Sequence, residues 1–263
     1  MVLGVSRSSV RPKPPPKKVR KRLNLLLVSK IRKLIFKFPT FGYRKVWAML
    51  RFSQGLIVNK KAVYRILKIK RWFVTQRKTT PRPRVKGSRS VAPRSNLRWA
   101  TDITHVDCGA DGWAHVVAVI DCHDREIVGF EVARRGRARE AERALEDACL
   151  RRFGTTRPKG VTPVIRSDNG LVFQSKRYRE ACRDYRLNQE FITPYTPEQN
   201  GMTERFFRSL KEECVWLKRF KSFGEAKREL TKWVNWYNKG RPHQSLGYLS
   251  PLQYRAQQER MVA

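Results

Sequence analysis

The 263-residue chain predicts an α/β fold: a mixed sheet flanked by helices, preceded by a small all-α helix-turn-helix region. Charge is the first observation behind this. Residues 1–98 hold 29 Lys and Arg and no acid, while the remainder holds the other 29 cations with all 22 acids. Hydropathy is the second, because the apolar period changes from helical to strand-like after Leu97. The third is the order after that change, three strand-like runs and then alternating helix and strand, which is the grammar of a sheet covered on both sides.

The front elements follow in order. Residues 1–22, with Pro14-Pro15-Pro16 and clustered Lys and Arg, read as a basic disordered arm. Residues 23–72 read as the helix-turn-helix region. Leu26, Ile31, Leu34, Ile35 and Phe38 fit a helix stopped by Pro39, and Tyr43 to Phe52 fits a second with Val46, Trp47 and Leu50 on one stripe. Ser53-Gln54-Gly55 makes a turn, and Asn59 caps a third helix carrying Val63, Ile66 and Leu67. Lys60, Lys61, Arg65 and Lys68 lie off that apolar stripe and are the candidate DNA contacts. Residues 73–97, rich in Pro, Arg, Lys, Ser and Thr, form a basic linker.

In the back half, Trp99–Val106, Ala114–Ile120 and Ile127–Val132 read as strands, with Asp111-Gly112 turning between the first two. Helices are expected over 138–153, 176–186 and 200–217, with short strands at 164–165 and 191–192. Residues 98–217 thus form a catalytic-sized core, and 218–263 a helical C-terminal extension.

Several classes are excluded. The early apolar run Leu23–Val28, interrupted by Asn24, is far short of the roughly 20 residues of a membrane span, and it lacks a small-residue cleavage site. The five cysteines are odd in number and dispersed with no C-x-x-C, so they read as buried thiols in a reducing compartment. A net charge of +36 calls for a polyanionic partner. The expected location is the cytoplasm, in association with the nucleoid.

Three acids stand out by position. Asp102 is mid-strand on the face of Ala100, Thr104 and Val106. Asp168 follows a strand end, where open α/β sheets gather ligands, and precedes a turn at Asn169-Gly170. Glu204 begins a helix. At about 100° per residue Arg208, Lys211 and Val215 fall within about 40° of it, and Phe206, Leu210, Cys214 and Leu217 fall on the opposite side. Glu204 thus heads a stripe whose next polar members, Arg208 and Lys211, are placed to hold phosphate. Three carboxylates without a catalytic His, Cys or Lys suit Mg²⁺ or Mn²⁺, and two such ions offset the mutual repulsion of the acids while stabilising in-line phosphoryl transfer. Taken singly, each acid also has a structural reading as strand polar residue, turn former or helix N-terminal acid. Asp107, Asp111, Asp121 and Asp124 are competitors, each beside a turn or strand end, and His105, His115, His123 and His243 show no ligand spacing with a cysteine. Asp102-Ile103-Thr104 loosely suggests an aspartyl-phosphate phosphatase, but Thr104 stands where a second Asp is needed.

The acids are separated by 65 and 35 residues, within Trp-Ala-Thr-Asp102-Ile-Thr, Arg-Ser-Asp168-Asn-Gly-Leu-Val-Phe and Pro194-Tyr-Thr-Pro-Glu-Gln-Asn-Gly-Met-Thr-Glu204-Arg. This resembles the D,D(35)E core of retroviral integrases and bacterial insertion-sequence transposases. The tail Trp236-Tyr237-Asn238 with Arg241-Pro242-His243, Ser245-Leu246-Gly247-Tyr248 and Ser250-Pro251 is similar to the end of the OrfB-type subunit of the copy-out–paste-in group, and Phe41-Gly42-Tyr43-Arg44 resembles its helix-turn-helix region. The resemblance implies an RNase H-like fold and a Mg²⁺-dependent transposase that cleaves and joins DNA at element ends. Asp102, Asp168 and Glu204 would then be catalytic metal ligands. It also implies element-end and target DNA as partners, a homo-oligomer on DNA, and an upstream OrfA-type subunit as fusion or partner. The competing class is a non-catalytic DNA-binding regulatory subunit or relic.

Overall fold

The computed structural model describes residues 23–74, 92–193 and 197–262. The arm expected over 1–22 and most of the linker lie outside the described residues.

Three helices build the front: α1 (Leu25–Lys37), α2 (Tyr43–Ala48), which runs on into a π-helical turn at Met49–Ser53, and α3 (Lys60–Lys70). Asn24 caps α1, accepting from Leu27 N, and Asn59 caps α3, accepting from Lys61 N at 2.8 Å. Ile31, Leu34, Phe41, Val46, Leu50, Val63, Ile66 and Leu67 close one small core. Leu26, expected on the apolar stripe of α1, is instead 78% exposed, because the partners of that first turn lie on the other side of the helix.

The back half is a five-stranded sheet in the order β3-β2-β1-β4-β5. Its strands are β1 (Arg98–Asp107), β2 (Trp113–Asp121), β3 (Ile127–Ala133), β4 (Val164–Ser167) and β5 (Asn188–Phe191). The first three form an antiparallel meander, and β4 and β5 add in parallel on the other side of β1. Helix α4 (Ala138–Phe153), α5 (Leu171–Gln174) and α6 (Lys176–Asp184) cover one face. There Trp99, Val117, Val119, Leu145, Phe173 and Tyr178 are buried together. A Cβ at Gly129 of β3 would meet the Ala144 carbonyl oxygen at 1.9 Å, so only glycine lets α4 lie this close.

The other face carries α7 (Gly201–Glu213) and α8 (Phe223–Lys239), whose Phe206, Phe207, Leu210, Trp233 and Tyr237 pack on Ala100, Val116 and Ala118. A last helix, α9 (Pro251–Val262), follows. Alternation along β1 therefore assigns Asp102 to the side of Ala100 and Val106, the side on which α7 packs.

Some elements differ from expectation. The helix expected to reach Leu217 ends at Glu213; Cys214 leaves helical geometry at φ −131° and a short 3₁₀ turn follows, so Val215 is not part of the Glu204 stripe and Leu217 is exposed. Strand β5 starts at Asn188 rather than Phe191, because Asn188 to Phe191 take their register from Val164 to Ser167 on β4. Helix α5 was not expected. The turn at Asn169-Gly170 exists, but Gly170 has φ −64° and the turn is closed by Asp168 Oδ1, which accepts from Gly170 N at 3.0 Å.

Candidate active site

Two adjacent parallel strands set the position of the first two acids. Trp99 pairs with Ile165 and Ala100 with Arg166, so Asp102 and Asp168, two residues further along, occupy matching positions. Arg166, buried on the same side, fastens the strand ends: it donates to both oxygens of Glu190 on β5 at 3.1 Å and reaches the Gln199 carbonyl at 3.4 Å. Asn169 Nδ2 donates to the Ile192 carbonyl at 3.0 Å, holding the turn that carries Asp168.

Glu204, exposed, stands in the first turn of α7, whose Phe206 and Leu210 hold the helix on the sheet. Asp102 is partly buried. Its Oδ1 accepts from Ile103 N at 2.7 Å and its Oδ2 from Asn200 Nδ2 at 3.4 Å. Burial, followed by the negative charges of Asp168 and Glu204, pushes the Asp102 carboxyl up to about 6 against the pull of its hydrogen bonds. Asp102 thus feels the charge of both other acids. Among the described residues, however, no three acidic, His or Cys side chains close by themselves into a metal-holding group. The donors are hard oxygens and their charge is uncompensated, which fits a hard divalent cation and nothing softer.

Asn200 and Thr203 carry no role in the sequence reading, although both lie within the segment preceding Glu204. Asn200 is 5% exposed and Thr203 fully buried; the Thr203 hydroxyl donates to Asn200 Oδ1 and to the Asn200 carbonyl. That bond commits Asn200 Oδ1 as acceptor and turns Nδ2 toward Asp102. Only the tertiary approach of α7 to β1 reveals this relay. Gly170, read from the sequence only as a turn former, also borders the site: a Cβ there would lie 2.9 Å from Asp168 Oδ1.

The cations are placed unevenly. Arg208 is exposed and donates to Glu212 at 2.8 Å, and Lys211 is partly exposed one turn on. On α3, Lys61, Arg65 and Lys68 are exposed, whereas the Lys60 ammonium sits 4.4 Å from the Trp47 ring and 5.2 Å from the Tyr248 ring, turned toward the C-terminal segment.

The competing acids have structural partners. Asp107 accepts from Gly109 N, and Asp111 accepts from Phe223 N beside Arg134. Asp121 and Asp124 are wholly buried around Arg152. All five cysteines are buried and none forms a disulfide, and burial pushes the Cys149 and Cys182 thiols up to about 12 and Cys214 up to about 11, which removes these three as nucleophiles. Among the described residues no helix is long and apolar enough to cross a membrane.

A mixed sheet with acids at matching strand positions and a third on the helix across it is a layout suited to phosphoryl transfer. The integrase core domain family matches residues 92–197 and again 185–251, and an HTH-like domain matches 22–79. Transposase InsD for insertion element IS2A/D/F/H/I/K from Escherichia coli is 29% identical over 231 residues, covering 86% of this chain and 76% of the relative. Among solved structures, the simian T-cell lymphotropic virus intasome in complex with PP2A regulatory subunit B56 gamma aligns with 86% of this chain and 74% of its own at 18% identity, with a TM-score of 0.51, a likeness of fold. The chain carries an integrase core domain behind an HTH-like domain, is similar to insertion-sequence transposases, and is a DDE polynucleotidyl transferase of RNase H-like fold.

Proposed function

We propose that the chain cleaves and joins DNA at insertion-sequence ends, with Asp102, Asp168 and Glu204 as the ligands of two Mg²⁺ ions that Mn²⁺ can replace. The observation that carries this reading is Asp102: a partly buried carboxyl, raised to about 6 by desolvation and then by the field of the other two acids, is what a cation would relieve. Integrase-core enzymes depend on a divalent metal. When bound, the ions would supply charge neutralisation and activate an attacking water or DNA 3′-hydroxyl.

The chain's own groups do the rest. The Asn200–Thr203 relay fixes the second oxygen of Asp102. Arg208 and Lys211, about 6 and 10 Å along the helix axis from Glu204, line a path for one or two nucleotides of backbone. Lys61, Arg65 and Lys68 face duplex DNA from α3, with Lys60 contributing by fixing that helix against Trp47. The proposal extends to an oligomer working on element-end and target DNA, with an upstream OrfA-type subunit as fusion or partner.

The test is joining of 3′-hydroxyl DNA ends to a target in Mg²⁺. Asp102→Asn, Asp168→Asn and Glu204→Gln should each abolish cleavage and joining while leaving DNA binding in place. Near wild-type joining by Glu204→Gln would remove it from the ligand set.

A further inference from the structure

The tail motif has a place in the fold that the reaction itself does not use. Arg241, 6% exposed, donates through Nε and Nη2 to the two oxygens of Glu213 at 2.8 and 2.7 Å, and through Nη2 to Ser209 Oγ at 3.2 Å. Its Nη1 lies 3.4 Å from His243 Nε2. Arginine has no acceptor, so that nitrogen accepts and the neutral ring keeps its proton on Nδ1. Glu213 Oε1 also receives Lys45 Nζ at 2.8 Å.

Ser209 and Glu213 lie on α7, Arg241 and His243 follow α8, and Lys45 lies on α2, so three separate parts of the chain meet on one carboxylate. Burial works to raise the Glu213 carboxyl, and Arg241 with Lys45 overcomes it and holds the group below its ordinary value. Aromatic contacts reinforce the junction. Phe38 stacks on Trp236 at 5.1 Å, Phe41 lies 6.0 Å from the same ring, and Trp47 meets Tyr248 edge-on at 5.3 Å. Because residues 1–98 contain no acid, no cation of the front region can find a carboxylate partner there, and Glu213 supplies one from the catalytic helix.

Glu213 is nine residues beyond Glu204 on α7, about 14 Å along the axis and about half a turn round. The helix thus offers one acid to the reaction and the other to the front region. We propose that Glu213, through Lys45 and Arg241, is a positioning residue that fixes the helix-turn-helix region relative to the three catalytic acids, and so determines which phosphodiester, counted from the bound recognition sequence, is cut. This rests on the strand-transfer reading above. Successive base pairs are about 3.4 Å apart, so a few ångströms of slack at the junction moves the cut by one nucleotide.

The test uses the full-length chain. Lys45 is 31% exposed at the rim of the cluster, so Lys45→Met removes its charge while keeping a stem of similar length over Phe41, and Lys45→Arg restores the charge. Phe38→Ala is the second variant, since it unstacks Trp236 while leaving Lys45, Arg241 and Glu213 in place. Spin labels go on Gln54→Cys in the front region and Arg139→Cys on α4, both exposed, against native cysteines that are all buried. The labelled distance should be a single narrow distribution in the otherwise wild-type chain and with Lys45→Arg, and should broaden with Lys45→Met and Phe38→Ala. Cut positions are then mapped to the nucleotide on duplex DNA spanning the junction between the coding element and its flank, in Mg²⁺. One position is expected for the wild type, and a spread over two or more neighbouring phosphodiesters for Lys45→Met, with total cutting within about threefold. A wild type that cuts no DNA sinks the strand-transfer reading and this consequence with it. A wild type that cuts at one position, matched by Lys45→Met in both distance and cut site, overturns the junction role alone.

Discussion

Asn200 donates from Nδ2 to Asp102 Oδ2 across 3.4 Å while its own Oδ1 receives the Thr203 hydroxyl. The bond favours the ionised carboxylate and restrains the rise that burial causes, which leaves the group at about 6. Asn200→Ala should move the metal-free Asp102 titration further up, read by carboxyl-carbon NMR. Mg²⁺ affinity at pH 6.5 should drop several-fold and recover toward pH 8. An unchanged titration would show that the amide does not act on Asp102.

Asp102→Asn should stabilise the metal-free protein while abolishing joining. Burial holds the folded carboxyl up at about 6 against an ordinary value of 3.8, so between these values the folded state holds a proton that the unfolded state has released. Stability therefore falls as pH rises through that window, and the full cost remains above it. The amide removes a cost on the order of 1–3 kcal/mol. Thermal unfolding in chelator at pH 7.5 should show the gain, and unfolding at pH 3.5 should not. Equal or lower stability of the variant at pH 7.5 would contradict the burial argument.

Gly170→Ala tests the seat of Asp168. The backbone at φ −64° accepts alanine, but the new Cβ would lie 2.9 Å from Asp168 Oδ1 and displace that oxygen. A shift of about 1 Å at a reacting centre can cost on the order of 100-fold. Joining should fall by at least tenfold with the melting temperature nearly unchanged; normal joining would show that the carboxylate has room to move.

Arg208→Ala and Lys211→Ala should together raise the DNA concentration needed for joining and flatten its dependence on salt. Loss of the exposed Arg208–Glu212 pair should cost only a few tenths of a kcal/mol in stability. Titration of end-containing DNA at two salt concentrations decides it, and unchanged affinity at both would remove the phosphate role.

His243 gives an acid-sensitive contribution to stability. Burial, then Arg241, Arg125 and Lys45, holds its pKa well below 6.5, so the folded ring stays neutral while the unfolded ring takes up a proton as pH falls below 6.5. That contribution is present above 6.5 and declines by up to about 1.4 kcal/mol per pH unit below it. Between pH 7.5 and 5.5, urea unfolding of His243→Asn should show a smaller loss of stability than wild type. An identical loss in both would exclude His243 as its source.

Spacing and periodicity made much of the molecule legible. The caps at Asn59, the alternation that placed Asp102 with Ala100, and the burial of Phe206 and Leu210 opposite Glu204 are all local consequences of helix and strand geometry. What was hidden depends on distant partners. Nothing local ends α7 at Glu213, where a carboxylate is drawn to Arg241, 28 residues on, and Lys45, 168 residues back. Lys60 reads as a DNA contact from its helix alone; in the fold its ammonium also lies over Trp47 and over Tyr248, which arrives from the far end of the chain. Asn200 and Thr203 gained a role only when α7 settled on β1.

The shared junction limits how the chain can be divided. A fragment of residues 23–72 would keep its own small core but uncover Phe38, Phe41 and Trp47, surfaces that Trp236 and Tyr248 cover in the whole chain. A chimera that exchanges only the front region must bring a cation at position 45 and aromatic rings at 38 and 41, or the receiving body is left with Glu213 held by Arg241 alone and with the Trp236 and Tyr248 rings uncovered. The natural unit of exchange is therefore discontinuous: residues 23–72 together with the segment from Trp236 to Tyr248, two stretches at opposite ends of the sequence that were shaped to fit one another.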